Sequence, residues 1–198
     1  MPVDEFILNE HNKDEFPPAH TAEHLLNQTM IRIFGCGRSY NAHVERKKSK
    51  MSFHLDHKPT RQEEKEIERR MNELISDDLP VTFEFVTRDD IVGHASQHDV
   101  VGHVSQHDVA GHTSRHDVAG HASQRDESAS ERYAGIDLDR LPTDAGETIR
   151  LVRIGDYDVC PCIGKHVRST SQIGRFEMLG TNWDEHEHSF RVRFKVIV

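Results

Sequence analysis

Cysteine is scarce in this chain: Cys36, Cys160 and Cys162 are the three found in 198 residues, too few for a disulfide-stapled secreted scaffold. Positive charge is in the minority, with 25 Lys and Arg against 34 Asp and Glu and a formal net charge of -9. Such a balance argues against a protein that coats nucleic acid non-specifically, because phosphate neutralisation drives that kind of binding. No apolar run approaches the ~20 residues of a membrane span. The acidic N-terminus offers no apolar stretch of the length a secretory leader needs, so the expectation is a cytoplasmic protein with reduced thiols. About 160 residues remain outside a repeat described below, enough for one domain with its own core, and none are left over for a second catalytic domain.

What the chain does have is 16 histidines, and two of them begin a pattern. HTAEHLLNQ places His20 and His24 four residues apart in a helix-forming segment, with Pro17 and Pro18 just ahead, where prolines open a helix without breaking it. Side chains at that spacing share a helix face with Cβ atoms about 5 to 6 Å apart, so both imidazoles can reach one ion. Far downstream, PCIGKHV offers Cys162 and His166. Pro161 and Gly164 around them predict a tight bend between two strands. Either pair alone reads as ordinary surface or core residues. Together they make one imidazole-and-thiolate set for zinc, provided the fold joins segments some 140 positions apart.

The periodicities predict an α+β fold, a mainly antiparallel β-sheet packed with two helices in a single domain over 1–198. A first helix is expected from about Ala19 to Ile33, with Leu25, Leu26, Met30 and Ile33 as its apolar stripe and Gly35 and Gly37 as its end. A hairpin-like region with a strand at Lys50–Asp56 follows. Thr60 and Glu63 form a capping box that opens a second helix carrying Ile67, Met71, Leu74 and Ile75 on one face. Further strands are expected at Val81–Val86, Thr148–Ile154, Arg175–Leu179 and Phe190–Val196.

Residues 90–126 hold a tandem repeat of period nine: DIVGHASQH, DVVGHVSQH, DVAGHTSRH, DVAGHASQR. Nine residues advance a helix by a half-turn beyond two full turns, so successive units face opposite sides and share no stripe. Nine is also odd, so equivalent residues alternate faces of a strand. The segment reads as an insertion tolerated in a surface loop. The competing reading is that its seven histidines, His94 to His121, bind metal.

HTAEHLL followed by CIGKHV resembles the second additional domain of alanyl- and threonyl-tRNA synthetases, especially the free-standing AlaX-type alanyl-tRNA editing proteins. GRSYNAHVERKKSKMSFHLDH, IGDYDVCPCIGKHV, TSQIGRFEMLGTNW and SFRVRFKV follow in the same order. The resemblance covers nearly the whole chain outside the repeat. It implies zinc held by His20, His24, Cys162 and His166, with His166 as a full or a looser ligand, and hydrolysis of the ester of a mischarged tRNA, Ser-tRNA(Ala) or Gly-tRNA(Ala). Zinc would either activate a water or orient the substrate's amino group. The alternatives are a non-catalytic, zinc-stabilised domain that binds tRNA or a synthetase, and editing of Ser-tRNA(Thr).

No G-x-S-x-G nucleophile motif is present, which disfavours covalent catalysis. Lys165 stands where the family usually has a small residue, and Asp184–His188 is acidic where a basic stretch is usual. Candidate tRNA contacts are Lys165, Arg46, Lys47, Lys48 and Arg168. Arg38 and Lys50 extend the first basic cluster, and Arg175, Arg191, Arg193 and Lys195 extend the second. Solvated faces are the plain alternative for these charges. For Cys36 and Cys160 packing is the favoured expectation, with Cys160 as a substitute ligand the alternative; His43, His54 and His57 are expected as ordinary polar positions beside a sheet, with facing the substrate the alternative.

Overall fold

The computed structural model describes residues 15–87 and 148–198 together with Ile136; the repeat at 90–126 lies outside them. In chain order the elements are α1 (Pro17–Phe34), β1 (Asn41–His43), β2 (Ser49–His54), α2 (Arg61–Ser76), β3 (Val81–Thr87), β4 (Thr148–Ile154), β5 (Asp158–Pro161), a 3-10 turn (Thr170–Ile173), β6 (Arg175–Asp184) and β7 (Ser189–Ile197). The chain divides into two compact units, Met1–Phe85 with Arg150–Val198 and Val86–Ile149. Of the second, the described residues are Ile136 and the ends of β3 and β4. No helix among the described residues is long and apolar enough to cross a membrane.

Two helices with antiparallel sheets make the α+β fold that the periodicities predict. One sheet runs in the order β1-β2-β7-β6 and the other β3-β4-β5. Along β7, Phe190, Val192, Phe194 and Val196 are buried while Arg191 and Arg193 are exposed. This period-two pattern fixes the register, because a slip of one residue would turn the phenylalanines to water. Against that face pack Leu25, Leu26 and Met30 of α1 and Ile67, Met71, Leu74 and Ile75 of α2. Burying each such side chain fully stabilises by about 1.5–3 kcal/mol.

The helix ends follow local chemistry. Pro17 and Pro18 open α1, and Gly35 closes it at φ 65, its N–H donating to Ile31 O at 2.8 Å. The Thr60 hydroxyl accepts from Glu63 N at 3.2 Å while the Glu63 carboxylate accepts from Thr60 N at 2.7 Å, which is the expected capping box. Two expectations need correction. First, β6 continues past Leu179 to Asp184 because a bulge between Met178 and Gly180 absorbs the glycine without ending the ladder. Second, the bend between strands falls at Gly155, φ 48, between β4 and β5. Cys162–His166 is an irregular segment that leads from β5 towards the 3-10 turn.

Candidate metal centre

The first two turns of α1 carry His20 and His24, whose ring centroids are 5.4 Å apart. The segment after β5 delivers the other pair. Cys162 N–H still donates to Arg150 O at 3.1 Å, extending the β4–β5 ladder by one residue. Gly164 then lies flat against His20, where a Cβ would come within 2.6 Å of Nδ1 and closer still to Cε1. As a result Cys162 Sγ lies 3.4 Å from His20 Nε2 and 3.4 Å from His166 Nε2. The His166 ring centroid is 4.2 Å from that of His20 and 4.6 Å from that of His24. The fold thus brings together all four side chains singled out in the sequence, one ligand atom from each falling within 4.8 Å of the others.

Hydrogen bonds on the outer side of each ring decide which nitrogen is bare. His20 Nδ1 faces Lys165 O at 3.2 Å, and a carbonyl can only accept, so Nδ1 carries the proton. The Thr21 hydroxyl spends its one proton on Pro17 O at 2.9 Å. Towards Val167 N and His166 Nδ1, each 3.2 Å away, it must accept, so His166 also bears its proton on Nδ1. His24 turns Nδ1 outward, 3.4 Å from Asp158 Oδ2 and 3.1 Å from Cys160 Sγ, with Nε2 farther from that sulfur at 4.0 Å. On this pattern Nε2 is the bare nitrogen of His20 and His166, and both face the Cys162 sulfur.

The electrostatics run the same way. Burial by itself would raise the Cys162 thiol, but the closeness of His166, His20 and His24 overcomes it and brings the group down to about 3, a thiolate at neutral pH. Burial, with His24 and His20 close by, lowers His166 to about 4 and leaves it a neutral imidazole. For His24 burial works against the charge, yet neighbouring Cys160 and the bond to Asp158 lift it well above the ordinary histidine value.

Three imidazoles and one thiolate suit zinc. With Zn–N near 2.0–2.1 Å and Zn–S near 2.3 Å, a tetrahedron has edges of about 3.3 to 3.6 Å. The nitrogen–sulfur edges are the longer ones, about 3.5–3.6 Å, and the two 3.4 Å separations come within about 0.2 Å of them.

Other residues gather around the cluster. Arg150, absent from the sequence reading, donates from Nη1 to Gly164 O at 3.0 Å and lies over the Phe83 ring at 4.1 Å. Phe83 is 46% exposed with its centroid 6.3 Å from that of His166, so it gives the site an apolar rim. Cys160 contacts His24 instead of simply packing. Arg38 leaves the basic cluster and pairs with Asp158.

Lys165, Arg168, Lys47 and Lys48 have exposed side chains, and Arg46 lies over Phe16 at 4.5 Å, just ahead of the helix that carries His20. His43 pairs with Glu45, His54 with Glu187 O and His57 with Glu63, so none of the three joins the cluster. The signals that could have been read are Thr21, next to His20 in HTAEH, and Asp158, an acid in an otherwise apolar strand.

Residues 149–189 match the Threonyl and Alanyl tRNA synthetase second additional domain. That span includes Cys162 and His166 but not His20 and His24. An alanine–tRNA ligase of Halorubrum lacusprofundi is 28% identical over 170 residues, 85% of this chain and 14% of the ligase. One from Methanococcus maripaludis is 24% identical over 175 residues, 88% of this chain and 15% of the ligase. A third, from Methanopyrus kandleri, is 24% identical over 162 residues, 81% of this chain and 13% of the ligase. The chain therefore spans about one seventh of the length of these relatives.

Proposed function

We propose that this chain, an AlaX-like protein whose residues 149–189 match the second additional domain of threonyl- and alanyl-tRNA synthetases, is a zinc-dependent deacylase of mischarged tRNA, acting on Ser-tRNA(Ala) or Gly-tRNA(Ala). The observation that carries the proposal is the convergence of His20, His24, Cys162 and His166 with their outer nitrogens already engaged. Zinc bound there supplies a Lewis acid for an ester carbonyl or a holding point for the substrate's amino group.

The protein's own residues do the rest. Lys165 O and the Thr21 hydroxyl keep the Nδ1 protons of His20 and His166 in place, so neither ring has to turn over when a metal or substrate arrives. The Phe83 rim and the Gly164 segment border the cluster with an apolar ring and close-packed backbone. Lys165, Arg168, Lys47, Lys48 and Arg46 are the proposed contacts to the phosphates of a tRNA acceptor end, a role that suits exposed cations.

Incubating the zinc-loaded protein with Ser-tRNA(Ala), Gly-tRNA(Ala), Ser-tRNA(Thr) and Ala-tRNA(Ala) tests the reading. Ester loss is expected from one of the mischarged species and not from Ala-tRNA(Ala), and Cys162→Ala is expected to abolish it. Preferential loss from Ser-tRNA(Thr) would move the substrate to the other tRNA with the chemistry unchanged.

A second reading, a zinc-stabilised domain that binds tRNA or a synthetase without turnover, is favoured by one observation. Four protein donors complete a tetrahedron, as structural zinc sites usually do, whereas catalytic sites leave a position open. Binding of mischarged tRNA with every ester left intact would establish that reading and overturn the first.

A further inference from the structure

His24 differs from the other two histidines in what holds it. Lys165 O and Thr21 are neutral acceptors, whereas His24 Nδ1 faces a carboxylate whose side chain is 0% exposed. Asp158 Oδ1 is paired with Arg38 Nη2, and Oδ2 is a buried polar atom with no hydrogen bond of good geometry, 3.4 Å from His24 Nδ1. Arg38 is itself tied down. Its Nη2 also reaches Val159 O at 3.4 Å, and the next residue, Ser39, donates its N–H to Asn27 Oδ1 on α1 at 2.8 Å. A buried carboxylate oxygen needs a donor, and His24 Nδ1, 3.4 Å away, faces it.

We propose that Asp158, clamped by Arg38, is the positioning residue for His24: it holds the Nδ1 proton and so presents Nε2 to the four-donor cluster. The inference rests on His24 being a metal ligand. The same three side chains, His24, Asp158 and Cys160, also lie within ligand distance of one another and compete as a second metal site. Charge decides against that site. Arg38 already occupies Oδ1, and a divalent cation on Oδ2 would share a fully buried carboxylate with a guanidinium. Cys160 Sγ, 3.1 Å from Nδ1, lies within hydrogen-bonding reach of the same proton, and its removal measures its share. A hydrogen-bonded carboxylate behind a ligating imidazole fixes its tautomer and orientation, and losing it typically weakens metal binding about 10- to 100-fold.

The test is the zinc content and zinc affinity of the full chain, measured by competition with a chromophoric chelator, for wild type, Asp158→Asn, Arg38→Gln and Cys160→Ala. Cobalt(II) absorption reports the ligand field, and far-UV circular dichroism of the chelated forms checks the fold. One zinc per wild-type chain is expected. Asp158→Asn should weaken binding about 10- to 100-fold and shift the cobalt bands, and Arg38→Gln should change both in the same direction. Cys160→Ala should stay within a few-fold of wild type.

Wild-type affinity and cobalt bands in both Asp158→Asn and Arg38→Gln, with one zinc still bound by the wild type, would overturn the positioning role alone. A wild type that binds no zinc would overturn the metal reading and this inference with it. Two zincs in wild type falling to one in Cys160→Ala would make the Asp158 set a metal site in its own right and refute the positioning role. Should Asp158→Asn fail to fold, Arg38→Gln decides, since it removes the clamp and leaves the carboxylate.

Discussion

Replacing Thr21 by Val tests the outer hydrogen bonds of the site with little change in shape. Thr21 is fully buried, and its hydroxyl serves three partners: it donates to Pro17 O and accepts from Val167 N and His166 Nδ1. Valine leaves the Val167 N–H buried without an acceptor, which costs about 1–3 kcal/mol. At roughly 2–4 °C per kcal/mol for a chain of this size, the chelated protein should melt roughly 2–12 °C lower.

The second effect is separate. With no acceptor at Nδ1, the His166 ring is free to move its proton to Nε2, the nitrogen that faces Cys162, and zinc binding should weaken about 10- to 100-fold. Calorimetry of the chelated form reads the first effect and chelator competition the second. Thr21→Ser keeps the hydroxyl and should restore both. A Thr21→Val protein with wild-type zinc affinity would show that the hydroxyl does not govern the His166 tautomer, and the reasoning for the site would fall.

Gly164→Ala drives a Cβ into the His20 ring, so zinc content after purification should drop sharply; a full complement of metal would mean the segment yields more easily than its packing implies. Thr60→Ala removes the α2 capping box and should cost about 1 kcal/mol of stability in thermal melts while leaving zinc affinity unchanged. In the chelated protein, Cys162 is held at about 3 against an ordinary 9, and His166 at about 4 against 6.5. Between pH 4 and 6.5 the unfolded chain therefore binds more protons at both groups than the folded one, and stability should rise with pH across that window. For Cys162 the contribution is complete only above pH 9 and is lost as pH falls towards 3. Cys162→Ser should make the rise of melting temperature between pH 4 and 6.5 shallower; an unchanged slope would mean the thiol is not ionised in the folded chain.

Much of the scaffold was legible because its signals are local. The Thr60 and Glu63 box, the Gly35 cap and the stripe of Leu25, Leu26 and Met30 act within a turn or two of themselves, so spacing alone reveals them. His20 and His24 were legible for the same reason, as were Cys162 and His166 once read as a pair. What stayed hidden depends on partners distant in sequence. Arg38 reads as one more cation in a basic stretch until β5 brings Asp158 to it, and Cys160 reads as a packed thiol until His24 is seen beside it. Gly180 misleads in the opposite way. It looks like a strand end, yet its φ of 144 and the bulge beside it let the ladder run on to Asp184.

The side chains of the candidate metal centre come from both sides of a long stretch of chain, with His20 and Cys162 separated by 142 positions, and the nine-residue array falls between them. Closing a flexible loop costs free energy that grows only with the logarithm of its length, so in the surface loop that the array's period implies one more unit would raise that cost by only about 0.1 kcal/mol. On that expectation, gain or loss of a whole unit would cost the histidine and cysteine quartet almost nothing, and a chain shortened by one unit should keep the same metal affinity.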